Sequence, residues 1–515
     1  MKKKALSKNR ELIINLISSI VVFGVNLIIN FCLSPYIVKS LGVEANGFVT
    51  LANNFVSYAS LATLALNSMA GRFITIKVHQ NDIEGANRYY TTVTLGNFFL
   101  ALVMLIPSIF CVVYLERIID IPPNLLWDVK LLFAFIFVNF LLSTAFSSWS
   151  TATFVTNKLY LQSLRTMQSQ LYRVIVIIGL FVILQPSVYY MGVAALIATI
   201  FTTLYSLYYK KKLLPEVHIK RKDFDIASLW ELISSGIWNT VIKAGQLLLS
   251  GLDLLISNLF IGSTEMGMLA LAKTLPNVIT HLGGTITAVF TPTLTINYAK
   301  GDLIGVKNEL KKGMKITGVL LTIPLSIMII FGKEFYQLWV PSQDARILQV
   351  LSVLTCISLI FTSGIQCLYN IFTVVNKLKV YSMLILLSGV ASTIVVFVLL
   401  KTTGLGIYAV AGVSSFVNLT RNVCFAVPFG AKYLKLKWHT FYPEVAYSAL
   451  SVVLSVLIGY GVKQFFVIDS WFMLALEGGL TALLGFFVNI FIVLNKNERK
   501  HLLKILTKKI KKANS

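Results

Sequence analysis

The chain has 515 residues, of which 56% are hydrophobic and 13% charged, with a formal net charge of +24. A soluble domain carries about 25% charged residues, so this composition and the mean hydropathy of +0.78 exclude a soluble globular protein. The excess of positive charge would suggest nucleic acid in a soluble chain, but its placement argues against that partner.

Apolar runs long enough to cross a bilayer recur along the whole chain. A spanning helix needs about 20 apolar residues, and on that measure the sequence predicts about fourteen spans. The basic segment before the first run resembles a signal peptide, but the run is too long and has no small-residue cleavage site. The sequence therefore predicts an all-α, polytopic helical membrane protein. The predicted limits of the spans are 11–34, 45–69, 89–115, 125–147, 163–184, 188–209, 228–259, 265–292, 315–331, 347–372, 380–400, 405–429, 445–462 and 471–494.

The distribution of basic residues supports this topology. If both termini are cytoplasmic and the spans alternate, most lysines and arginines fall on the inner side, as the positive-inside rule requires. The opposite side holds only Lys39, Arg117, Lys130, Lys333, Arg346, Lys401 and Lys463. The basic inner surface also suits an anionic inner leaflet. The tail, 498–512, is predicted as an amphipathic interfacial helix, with a disordered basic tail as the alternative.

An internal repeat organises the spans. Gly42 and Gly262, Gly47 and Gly267, and Asp82 and Asp302 are identical pairs 220 residues apart, and Asn157-Lys158-Leu159 recurs as Asn376-Lys377-Leu378. A register held over this length indicates duplication. The predicted domains are two parallel six-helix lobes, 1–210 and 228–430, a basic cytoplasmic linker, 211–227, and two extra helices with a basic tail, 431–515. Parallel lobes are a transporter layout, with the binding site between them.

A polar stripe lies inside the seventh predicted span. It consists of Asn239, Lys243, Gln246, Ser250 and Asp253, which follow one another at steps of four, three, four and three. At a helical period of about 3.6 these residues share one face. A lysine in the middle of a bilayer costs about 2.5–3.5 kcal/mol unless it faces water or a partner. The stripe therefore predicts a hydrated cavity, with burial against another helix as the alternative.

The repeat register transfers this stripe to other helices. It places Asn26 and Asn30 in the first helix and pairs Asn53 in the second helix with Lys273 in the eighth. Further polar residues on the second helix are Asn46, Thr50, Ser57, Ser60 and Asn67, and on the eighth Asn277, Thr280, Thr287 and Thr291. We expect these four polar faces to line a central cavity between the lobes.

The charges of this cavity favour an anionic ligand. Lys243 and Lys273 offer two ammonium groups and Asp253 one carboxylate, which suits a phosphate or pyrophosphate. The amide and hydroxyl groups suit a sugar. Asp253 lies about 15 Å along the helix from Lys243, so binding of a coupling ion, H⁺ or Na⁺, is its alternative role.

Three arginines are further candidates for the binding site. Arg173 and Arg421 lie within spans, each on the predicted cytoplasmic half of its helix, and either could instead snorkel or brace helix packing. Arg72, at the cytoplasmic end of the second helix, could meet a head group or be a topology charge only.

Several functions are disfavoured by what the sequence does not contain. There is no GxxxxGK[ST] loop for direct ATP drive and no evident carboxylate pair or Ser/His/Asp set, so we expect a protein that is not an enzyme. The five cysteines all fall in apolar runs, which predicts core residues rather than a disulfide or metal site. No cofactor is expected apart from the coupling ion.

The layout of six, six and two helices, the LGxxxxGxxxLA pattern at 41–52, Gly301-Asp302, and Asn157-Lys158 after the fourth helix resemble a known family. These features are similar to the oligosaccharide-lipid flippases of the multidrug/oligosaccharidyl-lipid/polysaccharide exporter superfamily, above all its O-antigen and capsule (Wzx-type) branch. The resemblance covers nearly the whole chain.

This resemblance implies a flippase of the bacterial cytoplasmic membrane that moves an undecaprenyl-pyrophosphate-linked oligosaccharide by alternating access. Its expected partners are that lipid-linked oligosaccharide, a polysaccharide polymerase and glycosyltransferases. The alternatives are a cation-coupled multidrug antiporter, a lipid II-type flippase and a non-transporting scaffold. The lipid II branch is disfavoured because its N-lobe cavity is richer in arginine.

Overall fold

The computed structural model describes residues 2–375, 377–465, 467–493 and 499, and every regular element within them is a helix. This confirms the predicted all-α fold class. Within α1 the described side chains are those at 14, 18, 21, 22, 24–29 and 31–41. The predicted interfacial helix at 498–512, the side chain of Asn30, and Asn376 of the repeat motif lie outside the described part.

The chain divides into two compact units, Met1–Ala270 and Leu271–Ser515. The helices that begin in the first unit are α1 (Lys2–Leu41), α2 (Val43–Ala59), α3 (Leu61–His79), α4 (Ile83–Val113), α5 (Leu115–Ile118), α6 (Leu126–Ala145), α7 (Thr151–Val155), α8 (Leu159–Ile183), α9 (Tyr190–Leu213), α10 (Ile226–Gln246), α11 (Asp253–Phe260) and α12 (Ser263–Ala272). Those of the second unit are α13 (Thr274–Ala288), α14 (Thr291–Ala299), α15 (Leu303–Trp339), α16 (Ala345–Thr362), α17 (Ile365–Leu368), α18 (Asn370–Val374), α19 (Leu378–Thr402), α20 (Ile407–Arg421), α21 (Val427–Tyr433), α22 (Tyr442–Lys463) and α23 (Trp471–Val493). Single π-helical turns join α10 to α11, at Leu247–Gly251, and α20 to α21, at Asn422–Ala426.

Among the described residues, 11 helices are long and apolar enough to cross a membrane, or up to 13 if two bent pairs each count as one span. The bent pairs are α2 with α3, at 65°, and α10 and its π turn with α11, at 40°. The predicted eighth span is divided among α12, α13 and α14, each too short to cross alone. The predicted number of spans is therefore larger than the helices of full length provide.

The long helices bury small and aliphatic residues against one another and leave large apolar side chains on the outside. Ile106, Val182 and Phe472 are each more than 70% exposed, which in a soluble protein would favour aggregation but suits contact with acyl chains. The first unit has an interior cluster around Leu66, Ile74 and Val93 at the junction of α3, α4 and α7. The second has one that joins α14, α15, α17, α18 and α21.

The offset of the sequence repeat recurs in the helix boundaries. Asp82 caps α4 by accepting a hydrogen bond from the Gly85 amide at 2.8 Å. Asp302 caps α15 in the same way, by accepting a hydrogen bond from the Gly305 amide at 2.7 Å. Helices α8 and α19 both have 25 residues and begin 219 residues apart. The limits of the predicted lobes stay a prediction: α10, which the repeat assigns to the second lobe, packs against α3 and α4 within the first unit.

The cysteines depart in part from their predicted location. All five are free thiols, and Cys356 and Cys367 are buried as expected. Cys32 and Cys424 are exposed instead. An apolar run indicates only that a residue avoids water, and in a membrane protein both the core and the lipid-facing surface satisfy that condition.

Candidate functional site

A polar cavity of about 290 Å³ lies inside the first unit, among α2, α6, α8 and α9. Helix α8 contributes Gln162, Thr166, Ser169, Gln170 and Arg173 to its wall. Because these residues lie at spacings of three and four, one face of the helix carries them all. Helix α9 contributes Met191, Ala195, Ala198, Thr199 and Thr202 at the same spacing, and its alanines and threonines leave room between the two helices. Val49 and Asn53 of α2 and Ile136 and Asn139 of α6 complete the lining.

Arg173 is the charged residue of this cavity. It is partly buried near the middle of α8, and its Nε atom is buried without a hydrogen-bond partner. None of the residues that line the cavity is acidic, and none of the ion pairs in the described part of the chain involves Arg173. A guanidinium within a membrane that lacks a counter-ion favours an anionic ligand. The Oδ1 atom of Asn139, likewise buried and unpaired, offers an acceptor beside it.

The predicted stripe on the seventh span is present but does not lie on one continuous face. Lys243 is partly buried near the end of α10, Gln246 and Ser250 are exposed, and Asp253 is only 3% exposed at the start of α11. The π turn at Leu247–Gly251 causes this difference, because its wider turn rotates every later residue away from the face that a period of 3.6 assigns. The prediction that Asp253 shares a face with Gln246 and Ser250 is therefore wrong.

Contacts from α2 stabilise this π turn. The amide of Leu252 bonds to the carbonyl of Leu247, five residues earlier, at 3.0 Å. The carbonyl of Gly251 accepts a hydrogen bond from the Tyr58 hydroxyl at 2.6 Å and one from the Asn54 amide at 3.4 Å. Asp253 is close enough to act on the Tyr58 hydroxyl electrostatically. Since π turns are frequent at functional sites, the stripe remains a candidate despite its altered geometry.

The second helix of the sequence prediction contains both cavity and packing residues. Asn53 is exposed, lines the cavity and donates to the Val49 carbonyl at 2.7 Å. Asn67 instead exchanges two hydrogen bonds with Asn97, at 2.8 and 2.9 Å, beside Ser147. The packing alternative is thus correct for Asn67. The bend of 65° between α2 and α3 separates the two residues.

The remaining predicted residues of the first unit lie apart from the cavity. Asn26 is partly buried on α1, Asn239 is partly buried on α10, and Arg72 is exposed on α3. None of the three lines the cavity. Their predicted contacts with substrate stay a prediction.

The second unit contains the two other predicted cations. Lys273 is partly buried at the break between α12 and α13. Arg421 is 7% exposed, and its Nη2 atom donates to Asn418 Oδ1 at 2.6 Å and Asn422 Oδ1 at 3.3 Å. Tyr369 also donates to Asn422, at 2.8 Å. These contacts favour a bracing role for Arg421 at the second π turn.

The sequence prediction missed most residues of the cavity, although a signal was present. Gln162, Thr166, Ser169 and Arg173 follow one another at steps of four, three and four. This spacing is identical to that of the first four residues in the stripe on the seventh span. Applied to the fifth span, the same test would have found the polar face of α8.

Solved structures with the same fold are membrane transporters. The lipid II flippase MurJ, in an inward closed conformation, matches 94% of this chain and 100% of its own chain with a TM-score of 0.67 and 13% identity. An inward-facing multidrug resistance transporter of the MATE family, in the MOP superfamily, matches 80% of this chain and 94% of its own with a TM-score of 0.60 and 15% identity. The chain therefore shares its fold with these two proteins.

Sequence similarity identifies the family within this fold. Residues 12–297, more than half of the chain, match the family described as polysaccharide biosynthesis protein, and the chain belongs to that family. It is also 28% identical over 491 residues to EpsK, an uncharacterized membrane protein of Bacillus subtilis (strain 168), with 95% of this chain and 97% of that protein covered. The protein is thus embedded in a membrane, and the predicted membership of a polysaccharide-synthesis family is confirmed.

Proposed function

We propose that this protein moves lipid-linked oligosaccharides, built on undecaprenyl pyrophosphate, from the inner to the outer leaflet of the bacterial cytoplasmic membrane. Transport proceeds by alternating access and serves the synthesis of a surface polysaccharide such as O-antigen or capsule. The observation that carries this proposal is the cavity around Arg173, which combines one unpaired cation with a lining of amides and hydroxyls.

The chemistry of this cavity matches the two polar parts of such a substrate. A guanidinium presents parallel N–H donors that fit phosphate oxygens, and the lining of Gln162, Gln170, Asn53 and Asn139 offers donors and acceptors for sugar hydroxyls. Its volume of about 290 Å³ is at the lower end for ligand pockets. The cavity therefore accommodates the pyrophosphate with its first sugar rather than the whole repeat unit.

The same charge argues against a cationic drug as the substrate. A positive group brought beside Arg173 would be repelled, and no acidic residue of the cavity lining would offset that repulsion. The multidrug alternative would need Asp253 as its binding group, yet that carboxyl is 3% exposed and lies outside the lining.

The direct test is binding of undecaprenyl pyrophosphate to the purified protein in lipid nanodiscs, with Arg173→Ala and Arg173→Lys as variants. We expect Arg173→Ala to weaken binding at least about tenfold, since a charge-assisted hydrogen bond contributes about 1.5–3 kcal/mol. Arg173→Lys keeps the charge but loses the forked donors, so its affinity should be intermediate.

The matched control is Ile175→Ala, two residues further along α8, where the side chain is 64% exposed. It should bind as wild type does. In cells that depend on this protein, Arg173→Ala should lower surface polysaccharide and accumulate lipid-linked precursor at an unchanged protein level. Equal binding and equal export by Arg173→Ala and wild type would refute the proposal.

A further inference from the structure

The last two helices, α22 and α23, pack against α15 and share with it a row of polar residues, most of which are buried. These two helices lie outside the sequence repeat and outside the cavity described above. On α22 the row consists of Glu444, Ser448, Ser451, Ser455 and Lys463; on α23 of Glu477, Thr481 and Asn489; and on α15 of Thr317, Thr322, Ser326 and Glu334. We call this set the polar track.

Ion pairs close both ends of the polar track. At the end where α22 begins, Lys311 pairs with Glu444 at 3.0 Å. At the opposite end, Lys463 pairs with Glu334 at 2.8 Å and donates to the Ile330 carbonyl at 2.9 Å. Between Glu444 and Lys463 the helix rises by about 28 Å, which is close to the thickness of the hydrocarbon core. The track therefore extends across the membrane.

Glu477 is the unusual residue in this row. Its side chain is fully buried, and neither carboxyl oxygen has a hydrogen-bond partner. The charged groups that face it are Glu334 on α15 and Lys463 on α22, both close enough to act on it electrostatically. Because the Lys463 ammonium already contacts Glu334 and a carbonyl, Glu477 has no ammonium of its own. A buried carboxyl in this position avoids the cost of an unpaired charge by binding a proton.

The groups between the two ends supply the rest of a proton path. The hydroxyls of Ser451 and Thr481, the Asn489 Oδ1 atom and the second oxygens of Glu444 and Glu334 are also buried without partners. The Thr317 and Ser326 hydroxyls are likewise buried without partners, whereas Ser448 donates to the backbone carbonyl of Glu444 at 3.1 Å and Asn489 donates to Ser455 at 2.8 Å. Chains of carboxyls and hydroxyls inside a membrane are typical of proton relays.

We propose that Glu477 is the proton-binding residue of a path through α15, α22 and α23, and that proton movement along this path drives export. The second half of this inference rests on the function proposed above. Protonation adds H⁺ to one carboxylate oxygen of Glu477, and its release on the other side of the membrane restores the carboxylate. The two ion pairs hold Glu334 and Glu444 at the two ends of the polar track, where each carboxylate can accept a proton and release it.

The experiment uses the full chain in vesicles of phosphatidylethanolamine and phosphatidylglycerol, with infrared spectra recorded as the pH is raised. We expect a protonated-carboxyl band that is lost in Glu477→Gln. The matched control is Glu84→Gln, an exposed acid in the first turn of α4, which should keep the band. Because glutamine has the shape of a neutral carboxyl, Glu477→Gln should unfold at the wild-type temperature. A wild-type band that persists in Glu477→Gln, or no band at all, overturns the proton site.

The same vesicles, loaded with a lipid-linked oligosaccharide, test the link to export. An applied proton gradient should accelerate movement of this lipid at least tenfold in the wild type and have no effect in Glu477→Gln. If the lipid moves equally fast with and without the gradient in both proteins, the coupling is refuted while the proposed function stands. If the wild type moves no lipid but keeps a band that depends on Glu477, the proposed function fails and the proton site stands.

Discussion

Gly47 on α2 and Gly267 on α12 are in contact, although they are 220 residues apart. They occupy equivalent positions in the two copies of the sequence repeat. A Cβ atom on Gly47 would lie 2.9 Å from the Cα atom of Gly267. Beside them, Thr264 donates a hydrogen bond to Glu44 at 2.8 Å. These two residues are also 220 positions apart and equivalent in the repeat. Equivalent residues of the two repeats therefore meet where α2 lies beside α12.

This contact requires glycine, which gives a first prediction. A Cβ atom on Gly267 would overlap the carbonyl oxygen of Val43, and the backbone there can relax only by separating the two helices. We expect Gly267→Ala to destabilise the protein by about 1–3 kcal/mol, as overpacking does. The measurement is thermal unfolding in detergent. Gly284→Ala, where nothing lies within 4 Å, is the control and should not lower the unfolding temperature. An unchanged unfolding temperature for Gly267→Ala would argue against the close contact.

The π turn between α10 and α11 gives a second prediction. Tyr58→Phe removes the hydrogen bond to the Gly251 carbonyl and leaves that carbonyl with the longer bond from Asn54. A typical net contribution of such a bond is about 0.5–1.5 kcal/mol, and we expect the loss of stability to fall in that range. Tyr36→Phe, at an exposed tyrosine, should have no effect. Equal stability of both variants would show that other contacts hold the turn.

The sequence could predict those parts of the fold that depend on local chemistry. Apolar runs gave the positions of the long helices, and the repeated Asp-x-x-Gly at Asp82 and Asp302 corresponds to two helix caps of the same geometry. Each of these features depends on neighbouring residues, and the same residues produce the same structure in both copies.

The features that the sequence could not predict depend on tertiary contacts. The π turn before Asp253 is supported by Tyr58, almost 200 residues away, and nothing in 247–251 indicates a wider turn. The cavity around Arg173 is different, because its polar spacing on α8 was visible and only the decision between cavity and packing needed the structure.

The acid sensitivity of the protein gives a third prediction, at the start of α10 and outside the spans. Hydrogen bonds from the Ser228 hydroxyl and the Ser228 and Ala227 amides lower the pKa of the Asp225 carboxyl. Because the pKa is lower in the folded than in the unfolded chain, this carboxylate adds stability above the unfolded value of about 3.9. That contribution is lost as the pH falls through the lower folded value.

We therefore expect the unfolding temperature of wild type to fall more steeply below about pH 4 than that of Asp225→Asn. Asparagine keeps the capping acceptor but does not titrate. The measurement is thermal unfolding in detergent from pH 6 downward. Equal slopes for Asp225→Asn and wild type would contradict the role given to this cap.

The ion pair between Lys311 and Glu444 gives the last prediction. Glu444 has a side chain only 4% exposed and Lys311 one 28% exposed, so removing the lysine leaves a carboxylate that is almost fully buried without its partner. Breaking a buried pair costs about 3–5 kcal/mol of stability. Because Lys311 is partly exposed, we expect Lys311→Met to lose an amount at or below the lower end of that range. Adding Glu444→Gln removes the unpaired charge, so the double variant should recover most of the lost stability. The measurement is a double-mutant cycle by thermal unfolding. If the two losses simply add, the pair is not coupled, and Glu444 must be neutral or hydrated without Lys311.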